Sequence, residues 1–401
     1  MKNKTFGLLF SCVALLITSC GDKQESLKSV VDHGLSVSTV HGLNMAKVLE
    51  SQDGRLPKTI NKKGELETSD YGWWCSGFFP GQLWYLYENN PTAELKQYAE
   101  MYTNRVENAK KITYSHDVGF MLNCSYGHAY RITGNEAYKE VLIEGANSLS
   151  TRFDDRVGAI RSWDFNKKIW QYPVIIDNMM NLEFLGDVSR LSGNNRYKEL
   201  AVAHANKTME HHFRPDYSCY HVVTYDTITG LPHKKQTHQG YADETAWARG
   251  QAWALYGYTV MYRQTGNPEY LSLANSIGRF LINHPSMPED KIPYWDFDAP
   301  DIPNAPRDAS AAAIMASAFI ELSTMNDDAF GRECFNIAEQ QIRSLTSPEY
   351  LATEGENKNF ILKHSTGHFP NGSEVDKPLS YADYYYVEAL LRMKKLLSLE
   401  G

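Results

Sequence analysis

An all-α fold, a closed ring of helical hairpins, is predicted by three features of this sequence. The first is a recurring phrase, Arg-x-Thr/Ser-Gly-Asn-x-x-Tyr, at 131–138, 190–197 and 263–270. A left-handed glycine there stops one helix and a new helix starts two residues later. The second is apolar helical patterning on both sides of the phrase. Residues 122–130, 182–191 and 251–262 precede it, and Leu271, Ala274, Ile277, Phe280 and Leu281 follow its last copy at spacings of three and four. The third is repetition over the chain length. A lone hairpin cannot bury its apolar face, so neighbours stack, and about six fill the chain as an (α/α)6 barrel, with an open solenoid as the rival. Weaker copies of the phrase lie at 88–91 and 324–327.

At the start of the 401 residues, Met1-Lys2-Asn3-Lys4 is basic and residues 6–17 are apolar. That run, about a dozen residues, is too short to span a bilayer as a mature helix. It ends in Ile17-Thr18-Ser19-Cys20, which resembles a bacterial lipobox with Cys20 as the lipidated residue. The expectation is a signal peptide over 1–20, a polar tether over 21–30 and a single barrel domain over 31–401. The protein would then be a bacterial lipoprotein, periplasmic or outer-membrane anchored, meeting membrane only through its lipid. An ordinary secretory signal with Cys20 a bystander is the alternative. Of the six cysteines, Cys75, Cys124, Cys219 and Cys334 remain, with no Cys-x-x-Cys pair, so free thiols are expected and a cysteine metal site is not.

No Pro/Ser-rich linker or charge block divides the rest. The net charge of −8 argues against a nucleic-acid or general polyanion surface, so an anionic ligand must be met by a few local cations. Aromatic residues make up 12 %, as carbohydrate-handling clefts favour.

Two aspartates sit where polar approaches give way to apolar helical runs. Asp117 lies in Ser-His-Asp-Val-Gly-Phe-Met (115–121), and Asp177 in Pro-Val-Ile-Ile-Asp-Asn-Met-Met-Asn-Leu (173–182). A carboxylate among aliphatic residues and methionines is short of water, and it escapes by holding a proton near neutral pH. That suits a general acid, with a second, charged carboxylate as its complement. Helix capping is the competing reading, and it would lower both pKa values. Polar-aromatic loops at 154–172 and 217–244 lie at the hairpin ends opposite the Gly-Asn turns, so a cleft is expected there, faced by both aspartates and by 221–253.

Further side chains cluster by the same logic. Trp73 and Trp74 precede a glycine turn and a helix start, and Trp163 lies mid-loop; sugar rings stack on such faces, although core packing is the alternative. His221, His238 and Gln239 lie in the second long loop. Arg249 and Trp253, four apart, share a helix face and pair a guanidinium with an indole, suited to an anionic sugar. Each histidine could be structural, and Arg249 could pair with an acid. His-Glu-x-x-His, Gly-x-Ser-x-Gly, phosphate-loop and dinucleotide motifs are absent.

The segments 116–120, 175–182, 238–240 and 247–253, in this order and spacing, resemble the unsaturated glucuronyl hydrolases, glycoside hydrolase family 88, over residues 72–388. The resemblance implies an (α/α)6 barrel with no metal or cofactor. Its substrates are oligosaccharides left by polysaccharide lyases, with a 4,5-unsaturated uronic acid at the non-reducing end. It also implies hydration of a vinyl ether rather than two-carboxylate displacement. A protonated aspartate gives its proton to C4, water adds at C5, and the hemiketal opens and expels the aglycone.

By motif position Asp177 resembles the acid/base, and Asp117 the residue that holds sugar hydroxyls and tunes its partner. His221, His238, Gln239 and Arg249 resemble the polar contacts to uronate and water. Trp74, Trp163 and Trp253 resemble the stacking surfaces; Trp74 is preferred to Trp73 for the Ser-Gly-Phe-Phe-Pro-Gly nearby. The family loop corresponding to 367–377 meets the next sugar and, in some members, its sulfate through serines and a lysine. Here Lys377 is present, but Glu374 and Asp376 interrupt the hydroxyl pattern. Rival readings are an unsaturated rhamnogalacturonyl hydrolase acting on pectin fragments, a non-catalytic glycan-binding lipoprotein, and an epimerase using His221 and His238.

Overall fold

Three glycines end their helices as the repeated phrase predicts. Gly134, Gly193 and Gly266 take φ of 64°, 71° and 70°, and the asparagine after each accepts the backbone N–H two residues on, at 3.1 Å. The structure, a computed structural model, describes residues 25–399. The expected signal peptide and Cys20 lie outside them.

The helices fall into pairs. α1 (Leu27–Leu49) stands first, and α2 (Phe78–Asn89) pairs with α3 (Ala93–Asn104). α4 (Val118–Leu122) and α5 (His128–Thr133) are one helix interrupted by a π turn at Asn123–Gly127, and they pair with α6 (Glu136–Ser150). α7 (Leu182–Ser192) pairs with α8 (Asn195–His211), and α9 (Ala248–Thr265) with α10 (Pro268–Asn283). α11 (Ala309–Ser323) pairs with α12 (Ala329–Leu345), and α13 (Ser380–Leu399) ends the chain.

The first helix of each pair forms an inner ring: α2 meets α5, α4 meets α7, then α9, α11 and α13 follow, and α13 returns to α2. Outer α1 packs on α13, so the sixth pair is made by the two ends of the chain. Burial follows position. α9 is buried at every residue from Ala248 to Met261, whereas outer α10 and α12 bury one face. This is the (α/α)6 barrel rather than the open solenoid.

Residues 27–30, expected to be part of a tether over 21–30, belong to a helix instead. α1 begins at Leu27, Ser26 accepts the Ser29 N–H as its cap, and Leu27, Val30 and Val31 are buried. Their spacing of three and four belongs to the helix. No helix among the described residues is long and apolar enough to cross a membrane.

Inner-to-outer connections are the short turns; outer-to-inner connections are long and gather at the other end of the barrel. These carry nine short strands that the all-helical reading did not include. β1 (Leu56–Ile60) and β2 (Leu66–Ser69) form a hairpin, as do β3 (Phe153–Asp154) and β4 (Ala159–Ile160). β5 (Pro173–Ile175), β6 (Val222–Tyr225) and β7 (Pro232–Gln236) make an antiparallel sheet joining the two long loops. β8 (Ser365–His368) pairs with β9 (Ser373–Lys377).

Close packing at the ring leaves a test. A Cβ on Gly77, before α2, would lie 2.2 Å from the Met121 carbonyl oxygen, whereas Gly266 has nothing within 4 Å. Gly77→Ala is expected to destabilise by roughly 3 kcal/mol, through displaced backbone, and Gly266→Ala by about 1–2 kcal/mol, through left-handed strain alone. Denaturant unfolding of the two variants checks the order.

Candidate active site

β5 delivers Asp177 to the mouth of the ring. Ile175 N–H donates to Ser162 Oγ and Ile176 N–H to the His221 carbonyl, each at 3.0 Å, and the chain then turns through a short 3-10 segment, Ile176–Asn181, into α7. Asp177 lies inside that segment, so it is not a cap. Its side chain is 13 % exposed, and burial pushes its pKa up to about 7. The nearby Asp117 charge acts in the same direction; Arg249 opposes it.

Asp117 occupies the residue before α4 but makes no capping hydrogen bond. Instead Ser115 Oγ donates to its Oδ2 at 2.5 Å, and His116 Nε2 lies 3.2 Å from Oδ1. Asn181 Oδ1 accepts the Phe120 N–H at 2.9 Å and ties the two aspartate-bearing elements together. Both capping readings therefore fail, and the carboxyls face one cleft of about 620 Å3.

Trp74, Trp163, His238, Gln239 and Arg249 line that cleft as expected. Trp163 has Phe165 stacked on one face at 4.9 Å. Trp74 packs edge-on against Phe78 and Phe120. Gln239 donates its amide to the Gly367 carbonyl, which leaves its oxygen unspent.

Three expectations need correction. Trp253 is not a stacking surface: it is fully buried beneath the cleft, between Phe120 and Tyr385. Its indole approaches Asp177 closely enough to favour the charged carboxylate, but Nε1 completes no hydrogen bond. Arg249 does not pair with that indole. It lies 4.5 Å over Trp247, and it is fixed by Asp308 Oδ2 at 3.1 Å and by the carbonyls of Thr366 and Gly367 at 2.6 Å. The four-residue spacing put Trp253 on the right helix but below the floor. His221 is also buried behind the wall: its Nδ1 accepts the N–H groups of His238 and Gln239 at 3.1 Å. That leaves hydrogen on Nε2, 3.7 Å from Asp177 Oδ2.

The sequence reading missed Lys58, His368 and Tyr381, which line the cleft together with Trp73, the indole it had set second to Trp74, and it left Glu374 without a role. Lys58 lies 4.7 Å over Trp73 and pairs with Glu67 and Glu374. Burial pushes Glu374 up, and it lowers His238 and brings His368 down to about 4, so both histidines are neutral at neutral pH. Hairpins bring Lys58, His368 and Glu374 to the mouth, whereas Tyr381 comes from the first turn of α13. A larger cavity of about 810 Å3 opens at the other end of the barrel, but its arginines are largely paired with acids and neither aspartate reaches it.

A carboxyl that keeps its proton to neutrality, walled by indoles and neutral imidazoles at the mouth of a helical ring, defines an α/α-barrel enzyme of acid/base type. The chain belongs to Glycosyl Hydrolase Family 88, whose family profile matches residues 41–395. It is 48 % identical over 325 residues to an unsaturated glucuronyl hydrolase of Formosa agariphila, covering 81 % of this chain and 80 % of that one. It is 31 % identical to an unsaturated chondroitin disaccharide hydrolase of Streptococcus pyogenes, over 93 % and 92 % of the two chains. A crystal structure of an unsaturated glucuronyl hydrolase specific for heparin superposes with a TM-score of 0.88 at 45 % identity, covering 92 % of this chain and 98 % of that one.

The Asp177 pKa carries a stability signature. A folded value above the ordinary 3.8 means that the proton stabilises the fold fully below about pH 4, and that this contribution is lost as pH rises toward 7. Asp177→Asn, which removes the buried charge, is expected to be more stable than wild type at pH 8 by on the order of 1–3 kcal/mol. The difference should vanish near pH 4. Unfolding curves at the two pH values check it.

Proposed function

We propose that this protein releases the 4,5-unsaturated uronic acid from the non-reducing end of lyase-generated glycosaminoglycan oligosaccharides by hydrating the C4=C5 double bond. Asp177 is the acid/base, and its raised pKa is the observation that carries the reading. A vinyl ether is protonated at carbon, and a neutral carboxyl in a site short of water is the donor this step needs.

The Asp177 proton goes to C4, and the electron pair of the double bond forms the new C–H bond. Positive charge develops at C5 and is shared with the ring oxygen. Asp177, now charged, takes a proton from water as hydroxide adds to C5, which restores the acid. The hemiketal opens and the aglycone leaves. Asp117, held by Ser115 and His116, binds the sugar hydroxyls, and its negative charge raises the Asp177 pKa further. Trp74 and Trp163 cover the ring, with Trp73 at the rim. His238, Gln239 and Arg249 meet the uronate and the water. His221 acts from behind, holding the backbone of the first two.

The same proposal includes anchoring through Cys20 as the mature N-terminus after cleavage between Ser19 and Cys20, supported by the lipobox sequence. Expressed in a bacterium, Cys20→Ser is expected to leave the membrane fraction for the soluble one, by immunoblot.

Loss of the ultraviolet band of the conjugated C4=C5 bond tests the chemistry, with unsaturated disaccharides from chondroitin, hyaluronan and heparin. Asp177→Asn is expected to fold normally and to lose turnover by about 10²- to 10⁴-fold. Retained turnover in that variant would sink the assignment of the acid, and binding without loss of the band would favour a glycan-binding protein.

A further inference from the structure

A trough of about 610 Å3 runs between the tip of the β1–β2 hairpin and β9. It shares Lys58, Asn371, Ser373 and Glu374 with the active-site cleft, so the two adjoin. At their junction one cation meets two acids: Lys58 Nζ is 2.7 Å from Glu67 and 3.6 Å from Glu374. Farther out the cations lead. Lys62 and Lys63 line the trough, exposed, and neither has an ion-pair partner among the described residues. The acid beside them, Glu65, accepts the Asn61 amide at 3.1 Å. With Lys377 of β9, the trough lining carries four lysines against three glutamates, so in a chain of net charge −8 it is a place that attracts anions.

Geometry gives the anion its place. The unsaturated ring ends its saccharide and must put C4 against Asp177, so the rest of the saccharide leaves through the mouth. We infer that the trough is an outer subsite in which Lys62 and Lys63 receive the carboxylate or sulfate groups of sugars beyond the second, in glycosaminoglycan oligosaccharides longer than a disaccharide. This rests on the hydrolase reading.

The test compares an unsaturated disaccharide with an unsaturated tetrasaccharide from the same glycosaminoglycan. For the double variant Lys62→Gln/Lys63→Gln, kcat/KM on the tetrasaccharide is expected to fall roughly 3- to 10-fold, the worth of two exposed charge contacts. On the disaccharide it stays at the wild-type value, and raising salt erases the tetrasaccharide difference. Equal effects on both substrates, or none on the tetrasaccharide, overturn the subsite. Calorimetric titration of both saccharides into Asp177→Asn, with and without the lysine changes, reads the trough independently of turnover. A wild type that binds but never hydrates would instead overturn the hydrolase reading.

Discussion

With 13 % of its side-chain surface open, the Asp177 carboxyl is more stable protonated than charged up to a pH of about 7. Loss of water does this, and the loss comes from the closed ring: Trp253 and Phe120 pack together beneath the cleft and Ile175 and Ile176 are buried beside Asp177. Every charged or titratable neighbour must then leave that balance intact. A cation placed freely against the carboxyl would ionise it and remove the acid.

The neighbours meet this condition in different ways. Arg249 is charged and close enough to lower the Asp177 pKa, but its guanidinium is engaged by Asp308 and two carbonyls. Asp308 is itself fixed as the cap of α11, accepting the Ser310 and Ala311 N–H groups. Burial keeps His221 neutral, and its Nδ1 is committed to two backbone N–H groups. It therefore stands 3.7 Å from Asp177 as an uncharged neighbour. Asp117 contributes a nearby negative charge, which adds to desolvation.

Those features were legible in proportion to how local their cause is. The hairpin turns could be read because a left-handed glycine and a capping asparagine are adjacent in sequence. Asp177 could be read because its dry surroundings are its own neighbours, Ile175, Ile176, Met179 and Met180. Lys58 and His368 could not, because residues so far apart meet only through hairpins that carry no helical signal. Trp253 shows the opposite failure. A spacing of four fixes a helix face, but depth along the helix decides whether that face meets the cleft or the core.

The other end of the barrel shows why the mouth can hold perturbed groups at all. There the charges of successive inner helices are spent on one another. Arg131 on α5 reaches Glu88 on α2, Arg263 on α9 reaches Glu183 on α7 and Glu321 on α11, and Arg392 on α13 reaches Glu321. Lys394 on α13 meets Asn89 on α2 at 2.8 Å, so the links run unbroken from α7 through α9, α11, α13 and α2 to α5. One exposed pair of this kind contributes little, but a network that spans neighbouring helices resists their separation cooperatively. Two of these arginines open copies of the repeated phrase, so the element that ends a helix also ties it to its neighbour. With the ring held from that end, the long connections at the mouth need not be spent on closing it. They are free to carry a dry carboxyl, neutral histidines and an open groove.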